Sequence, residues 1–209
     1  MTSAGALVGA VFLLLAAISS LAAVGQAPQE DPRSKFLTGK LLIAAPGMSD
    51  PRFKKSVVYM VAHDEQGALG LIINKLLGEE PVEKLMSKDA PPIDTDGRTI
   101  RIYFGGPVEF GQGFVLHTPD YVSVHTIVVN DIFAMTPGED SALLLALAKG
   151  KGPRKSILAL GYAGWSPGQL ESEMEQDAWV TATTDGTFVF DDELAGKWQR
   201  AYDRREFTL

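Results

Sequence analysis

The chain alternates between short apolar runs and turn-forming residues over most of its length. Four near-continuous apolar runs stand out: Leu41–Ala45, Val57–Val61, Leu69–Ile73 and Ile157–Leu160. Short runs without polar alternation, bounded by turn residues, are typical of strands that are covered on both faces. We therefore predict a sheet with helices packed against it.

Three antiparallel hairpins are predicted, because the links between their strands are too short for a crossover helix. The strand pairs are Val57–Val61 with Leu69–Ile73 across His63–Ala68, Phe114–His117 with Val124–Val129 across Pro119–Asp120, and Trp179–Thr183 with Thr187–Phe190 across Asp185–Gly186. An Asp-Gly pair between two such runs is the strongest short hairpin signal.

Capping residues and apolar spacing indicate the helices. Thr136–Glu139 reads Thr-Pro-Gly-Glu, a capping box with Pro at the first helical position, and predicts a helix that ends at Gly150. Asp191 is predicted to open a C-terminal helix, and Pro81–Lys88 to form a short one. Three residues of the C-terminal helix recur every fourth position and should face the core: Leu194, Trp198 and Tyr202.

Hairpins and helices without βαβ alternation favour an α+β fold. We expect a single compact domain over residues 33–209, with a mixed, largely antiparallel β-sheet flanked by helices.

Residues 1–32 are predicted to form a hydrophobic segment and a linker. From Ala4 to Val24 the chain is almost wholly apolar, and a polar, Pro-containing stretch follows. This pattern predicts a cleaved export signal, and hence an exported, periplasmic protein. An uncleaved membrane anchor over residues 4–24 and a mis-assigned start are the alternatives. No other membrane contact is expected.

Composition and charge exclude several classes of function. The formal net charge of −7 repels a phosphate backbone, so we expect no nucleic-acid partner. The absence of cysteine removes disulfides, thiol catalysis and cysteine-based zinc sites.

Gly164-Trp165-Ser166-Pro167-Gly168 matches the Gly-x-Ser-x-Gly pattern of a hydrolase nucleophile elbow. Pro167 has no N–H with which to stabilise an oxyanion, and all three histidines precede the serine. Ser166 is better explained as the N-cap of a helix, with Gln169 completing a capping box.

The remaining polar motifs give no cofactor or metal site. Gly105, Gly106 and Pro107 form a Gly-rich loop after a strand over Ile100–Phe104, but the loop lacks the Lys-Ser/Thr of a phosphate-binding P-loop. The spacings of His63, His117 and His125 match no zinc motif, and we expect each to be a hydrogen-bonded residue at a strand end.

Four blocks of sequence together resemble the bacterial AlgH/YqgE family. They are Gly39–Pro46 with Asp50–Phe53, His63 with Gly67–Asn74, Gly105–Val108 with Gly113–His117, and Gly161–Trp165 with Gly168–Glu171 and Trp179. Their order and spacing cover nearly all of the chain from Leu37 onward. The resemblance implies a compact single domain with a mixed sheet and flanking helices.

The resemblance says little about activity. One member's link to alginate control gave the family a label of transcriptional regulator. The chain departs from the family pattern in two ways. It has Asn74-Lys75-Leu76 where the family usually has Asn-Arg-Pro, and it carries an export-like segment although the family is normally read as cytosolic.

We therefore expect a non-catalytic binding or regulatory domain with a protein partner or a small ligand. Recognition surfaces are often built at turns, which gives these candidate residues: His63, Asn74, Gly105, Gly106, Pro107, His117, Gly164, Trp165 and Gln169. One alternative is an enzyme, hydrolytic or other, with His117 or His63 as general base. The other is a transcriptional regulator, which the family label alone suggests.

Overall fold

In the computed structural model, residues 36–86 and 97–206 are described, and within them ten strands form one sheet. The strands are β1 (Leu41–Ala44), β2 (Val57–Asp64), β3 (Gly67–Ile72), β4 (Leu76–Pro81), β5 (Thr99–Phe104), β6 (Val108–His117), β7 (Ile127–Val128), β8 (Ala134–Pro137), β9 (Ser156–Trp165) and β10 (Trp179–Ala182). The helices are α1 (Ser141–Ala148), α2 (Gln169–Glu175), α3 (Gly186–Phe190) and α4 (Lys197–Asp203), with a 3-10 helix over Val82–Leu85.

The strands follow the order β10-β1-β2-β3-β9-β6-β8-β7, and β5 joins β9 to β4. Strand β5 runs parallel to β9, and the other pairings are antiparallel. This arrangement confirms the predicted α+β fold with a mixed, largely antiparallel sheet.

The apolar runs of β1 and β2 are continuous because both faces of these strands are buried. Leu41, Ile43 and Tyr59 enter one core cluster, while Leu42 and Val58 enter another. Helix α2 contributes to the second cluster, α3 and α4 to the first, and α1 to a third around β5, β6 and β9. Because successive side chains of a strand point to opposite faces of the sheet, one apolar run contributes to two core clusters.

The hydrophobic segment over residues 4–24, the boundary after residue 32 and Lys88 lie outside the described residues. Export or anchoring therefore stays a prediction. Within residues 36–86 and 97–206, no helix is long and apolar enough to cross a membrane.

Of the three predicted hairpins, the one that joins β2 to β3 is confirmed, with Asp64 opposite Gly67 at the turn. The hairpin across Pro119–Asp120 is wrong. The end of β6 pairs with β8 and β9, and β7 pairs with β8. The Asp120 carboxylate instead accepts hydrogen bonds from Arg154 and Thr118.

The hairpin across Asp185–Gly186 is also wrong, because Asp185 starts a helix. Its Oδ1 accepts the Phe188 N–H at 2.8 Å, which makes it the N-cap of α3. Strand β10 pairs with β1 instead, with Ala182 opposite Leu41.

The predicted helix starts are displaced toward the C-terminus. Thr136 and Pro137 belong to β8, and Asp140 caps α1 by accepting the Leu143 N–H at 2.8 Å. Asp191 follows α3, and α4 begins at Lys197. The three residues that were predicted to face the core are nonetheless packed against the first core cluster: Leu194, Trp198 and Tyr202.

Ser166 does not cap α2. The helix begins at Gln169, after Gly168 in a left-handed conformation. Half of the predicted capping box is present, since Gln169 Oε1 accepts the Ser166 N–H at 3.0 Å.

Candidate functional site

His63 connects the chain before β1 to helix α2. Its side chain is buried, and its Nδ1 accepts the Leu37 N–H at 3.1 Å. The other ring nitrogen, Nε2, lies 2.9 Å from Glu171 Oε1 and donates to it. Because both nitrogens are occupied, His63 has no ring atom available for a substrate.

His117 is likewise buried and doubly bonded. Its Nδ1–H donates to the Thr118 carbonyl at 2.8 Å, so Nε2 accepts from the Thr136 hydroxyl at 2.9 Å. The two general bases considered from sequence are therefore both satisfied structural residues.

Asn74 holds the loop that precedes β2. Its Oδ1 accepts the Val57 N–H at 2.9 Å, and its Nδ2 donates to the Lys55 carbonyl at 2.8 Å. Lys55 has a φ of 54°, a conformation that is costly for a residue with a side chain. Both polar groups of the Asn74 amide thus stabilise this strained turn.

The Gly-rich loop packs backbone against backbone. A Cβ at Gly105 would lie 2.2 Å from the Gly161 carbonyl oxygen, and one at Gly106 would lie 2.1 Å from the Tyr162 carbonyl carbon. The Gly105 N–H donates to Leu160, and its carbonyl accepts from Ile72. The glycines of this loop, which continues into Pro107, therefore allow a close approach to β9.

Trp165 and Gln169 belong to a clamp around Glu173. Glu173 Oε2 accepts the indole N–H of Trp165 at 2.9 Å and of Trp179 at 2.8 Å, and Oε1 accepts from Gln169 at 2.9 Å. Gly164 precedes this clamp in β9, opposite Leu69. These contacts fasten α2 to the sheet.

The residues proposed from sequence do not share one surface. His63, Trp165 and Gln169 surround α2, whereas His117 lies at the far end of β6, next to β8. A different group of side chains combines polar chemistry with an open cavity.

The candidate site is a groove of about 730 Å³, in which His125 is paired with a buried carboxylate. Its lining residues are Tyr121, Val122, Ser123, Val124, His125, Pro137, Glu139, Asp140, Ser141 and Ala142. Below we call it the His125 groove.

Asp140 organises the groove. Its side chain is only 2% exposed, and its Oδ2 accepts hydrogen bonds from His125 Nδ1 at 2.8 Å and from Ser123 Oγ at 2.9 Å. Its Oδ1 accepts the N–H of Leu143. His125 itself is 66% exposed, and no hydrogen bond of its Nε2 is found within the described chain.

A chain of hydroxyl groups links the groove to His117. Thr126 Oγ1 donates to Thr136 Oγ1 at 2.7 Å, and Thr136 donates in turn to His117. The Ser123 N–H donates to Thr126 Oγ1 at 2.9 Å. This direction of donation requires a neutral His117. The hydroxyl of Ser123 and the N–H of Leu143 both donate to Asp140, as expected for an acceptor-only, ionised carboxylate.

The electrostatics agree with these protonation states. Burial lowers the pKa of His117 below its ordinary 6.5, which outweighs the opposing hydrogen bond to Thr118. Burial alone would raise the pKa of Asp140. Hydrogen bonds from Leu143, His125 and Ser123 outweigh it and lower that pKa below 3.8.

The His125 groove was missed from sequence because its partners are separated by intervening strands. Asp140 lies 15 residues beyond His125, and β7 and β8 come between them. No spacing rule for a single helix or hairpin brings these positions together. The capping role of Asp140 was hidden by the preceding Thr-Pro-Gly-Glu.

Among the described residues, no group of three or more His, Asp or Glu side chains is placed to hold a metal ion. The lining of the His125 groove combines hydrogen-bonding groups, such as His125 and Ser141, with apolar side chains, such as Val122 and Ala142.

The chain matches a family model described as AlgH-like over residues 41–209. A UPF0301 protein of Cereibacter sphaeroides is 47% identical over 163 residues, covering 78% of this chain and 88% of the relative. A UPF0301 protein of Rhodospirillum rubrum is 43% identical over 173 residues, covering 81% and 87%.

Two solved structures are similar. The solution structure of AlgH from Pseudomonas aeruginosa is 39% identical, with a TM-score of 0.68 over 85% of this chain and 92% of that one. A crystal structure of a Corynebacterium diphtheriae protein has a TM-score of 0.62 over 82% and 88%, at 21% identity, and supports the fold alone.

Proposed function

This chain belongs to the AlgH-like family, and from that premise we propose that it is a non-catalytic binding domain whose partner is another protein. The partner presents an extended, apolar segment that lies in the His125 groove and across the neighbouring strand β7. The observation that supports this proposal is a cluster of exposed apolar side chains at this edge of the sheet.

These side chains lie close together in sequence, around the groove and β7: Val122, Val124, Ile127, Val128 and Ile132. Val122 and Val124 line the groove, and Val124 is 94% exposed. Clustered apolar exposure of this kind marks interaction surfaces, because single exposed residues are common but groups are not.

The charge of the groove restricts the partner. Glu139 and Asp140 line it, and no Lys or Arg is among its ten lining residues. An acidic segment would be repelled, so a neutral or basic apolar segment fits best. The same acidity gives no support to a DNA-binding role.

Catalysis through His63 or His117 has no support in the geometry, since each uses both ring nitrogens in structural hydrogen bonds. The His125 groove has an open imidazole but an apolar lining, which is more typical of recognition.

Site-specific photo-cross-linking in cells tests the proposal. A photoreactive residue at Val124 should form an adduct with one protein, and the same residue at the exposed Glu175 should not. The cross-linked protein is then purified and titrated against the full-length chain by calorimetry.

We expect Val124→Asp to raise the Kd at least about tenfold, since the loss of one buried apolar contact exceeds about 1.4 kcal/mol. Glu175→Ala should leave the Kd unchanged. Equal adducts at both positions, or an unchanged Kd for Val124→Asp, would refute the docking role.

A further inference from the structure

We propose that the group recognised in the His125 groove is a cationic side chain, an ammonium or guanidinium, that donates to His125 Nε2. This inference rests on the proposed function and names the chemistry of the partner at the same site. Its evidence is separate, because it comes from the proton arrangement of His125 and Asp140 rather than from the apolar patch.

The hydrogen on His125 is placed by Asp140. An ionised carboxylate only accepts hydrogen bonds, so the contact of 2.8 Å requires that Nδ1 carries the hydrogen. In the neutral form of this tautomer, the lone pair of the imidazole lies on Nε2. Asp140 is buried and anchored by Leu143 and Ser123, which keeps the imidazole in this tautomer.

The open nitrogen therefore needs a partner that donates a hydrogen bond. Hydroxyl, amide, ammonium and guanidinium groups all can. Carboxylates and dianionic phosphates cannot, and two carboxylate side chains in the groove lining also repel them: Glu139 and Asp140.

Charge selects among the donors. The two carboxylates place negative charge in the groove lining, which contains no Lys or Arg. Asp140 is too buried to contact a ligand directly, so it acts through its field, whereas Glu139 is exposed and can approach the cation. A positively charged donor gains from both carboxylates, and a neutral hydroxyl gains little.

The apolar walls fit the stem of such a side chain. Lys and Arg bury aliphatic carbons while their charged end remains near water or a partner. The aliphatic stem would lie in the groove against three of its apolar lining residues: Val122, Pro137 and Ala142. The groove is thus suited to an aliphatic chain that ends in a cation.

The test uses three small probes of similar length: n-pentylammonium, 1-pentanol and hexanoate. Each is titrated into the ¹⁵N-labelled full-length chain, and the amide signals of Ser123, His125, Ser141 and Ala142 are followed by NMR. The ammonium should bind at least tenfold more tightly than the alcohol, and hexanoate should bind most weakly.

Two variants assign the effect to His125. His125→Leu should reduce ammonium binding to the level of the alcohol, while His125→Gln, which retains an acceptor, should restore part of it. Asp140 keeps its hydrogen bonds from Ser123 and Leu143 in both variants, so each should remain folded, and the urea unfolding midpoint checks this.

Equal binding of ammonium and alcohol would overturn the cation proposal, as would tighter binding of hexanoate or no loss in His125→Leu. The docking function would still stand if the purified partner depended on Val124. Conversely, selective ammonium binding without any Val124-dependent partner would leave the cation site and remove the docking function.

Discussion

Asp140 connects three features at the scale of single residues. It caps α1 through Leu143, holds the Ser123 hydroxyl and orients His125, all from a position that water barely reaches. A buried carboxylate is tolerated only when its oxygens are well paired, and here each oxygen accepts at least one hydrogen bond. Loss of this side chain should therefore affect stability as well as the groove.

Asp140→Ala is expected to lower the free energy of unfolding by about 2 kcal/mol, since it removes a helix cap and leaves Ser123 without its acceptor. Urea unfolding followed by circular dichroism measures this change. Glu139→Ala is the matched control, because its side chain is exposed and does not cap the helix. A similar loss in both variants would contradict the assigned role.

His117 should make stability depend on pH. The pKa of His117 is lowered in the folded protein. Below about pH 6.5 the unfolded chain therefore binds a proton at His117 that the folded protein does not bind. The free energy of unfolding should then fall as the pH decreases from 6.5 toward the lower, folded-state pKa. His117→Gln should flatten that part of the pH profile, and an unchanged slope would show that other groups cause it.

Sequence identified several of these residues but not their partners. His63 and His117 stand out because histidines are few, yet their roles depend on Glu171 and Thr136, which lie 108 and 19 residues away. His125 had no distinguishing neighbour in sequence at all. Hydrogen bonds between distant positions are set by the fold, and local patterns do not report them.

At the scale of elements, α2 is held by side chains rather than by its own propensity. It has seven residues and begins after a glycine without a side-chain cap, so it would be marginal alone. Glu173 binds two indole groups and Glu171 binds His63, which together fix the helix on the sheet.

Glu173→Ala should cost about 2–3 kcal/mol, because the N–H groups of Trp165 and Trp179 lose their acceptor in a largely buried setting. Glu173→Gln retains one carbonyl oxygen and should cost less. The exposed Glu175 gives the control, whose replacement by Ala should stay within about 0.5 kcal/mol. Thermal unfolding of the three variants measures these losses. A loss for Glu173→Ala no larger than for Glu175→Ala would show that Glu173 acts as an ordinary surface glutamate.

Strands with continuous apolar runs were easier to predict than helix starts. Continuous apolar runs predicted β1, β2, β3 and β9, because a strand that is buried on both faces has an uninterrupted apolar sequence. The predictions at Asp185 and Thr136 were wrong because each motif fits two local structures. Asp-Gly occurs in hairpin turns and at helix starts, and Thr-Pro-Gly-Glu can begin a helix or end a strand. Strand β10 pairs with β1 rather than with a following strand, and Asp185 caps α3 instead of forming a hairpin turn. Pairing with β6 keeps Thr136 in a strand.

At the scale of the whole molecule, β9 joins the parts of the sheet. It pairs with β3, β5 and β6, and the Gly-rich loop crosses it without room for a side chain. The overall class was predictable although two of the three predicted hairpins were wrong, because the β2–β3 hairpin and the absence of βαβ alternation in the sequence already favoured an α+β fold. This central position of β9 was not, since its partners lie far apart in sequence.

Gly106→Ala tests the close approach of the loop to β9. A Cβ would collide with the Tyr162 backbone, which cannot move without disrupting the sheet, so we expect a loss of at least about 3 kcal/mol or a failure to fold. Gly111→Ala, in β6 and with no atom within 4 Å of the added carbon, should be nearly neutral. Soluble yield and urea midpoint report both outcomes, and equal behaviour would argue against the steric explanation.

The position of β9 also governs what a growing chain can do during synthesis. Strands β3, β5 and β6 emerge from the ribosome first, but none of them has its β9 neighbour until residues 156–165 appear. β1 waits still longer for β10. A nascent chain therefore cannot complete this sheet until residues 179–182 have been synthesised, and β1, β3, β5 and β6 each lack a neighbouring strand until β9 or β10 appears.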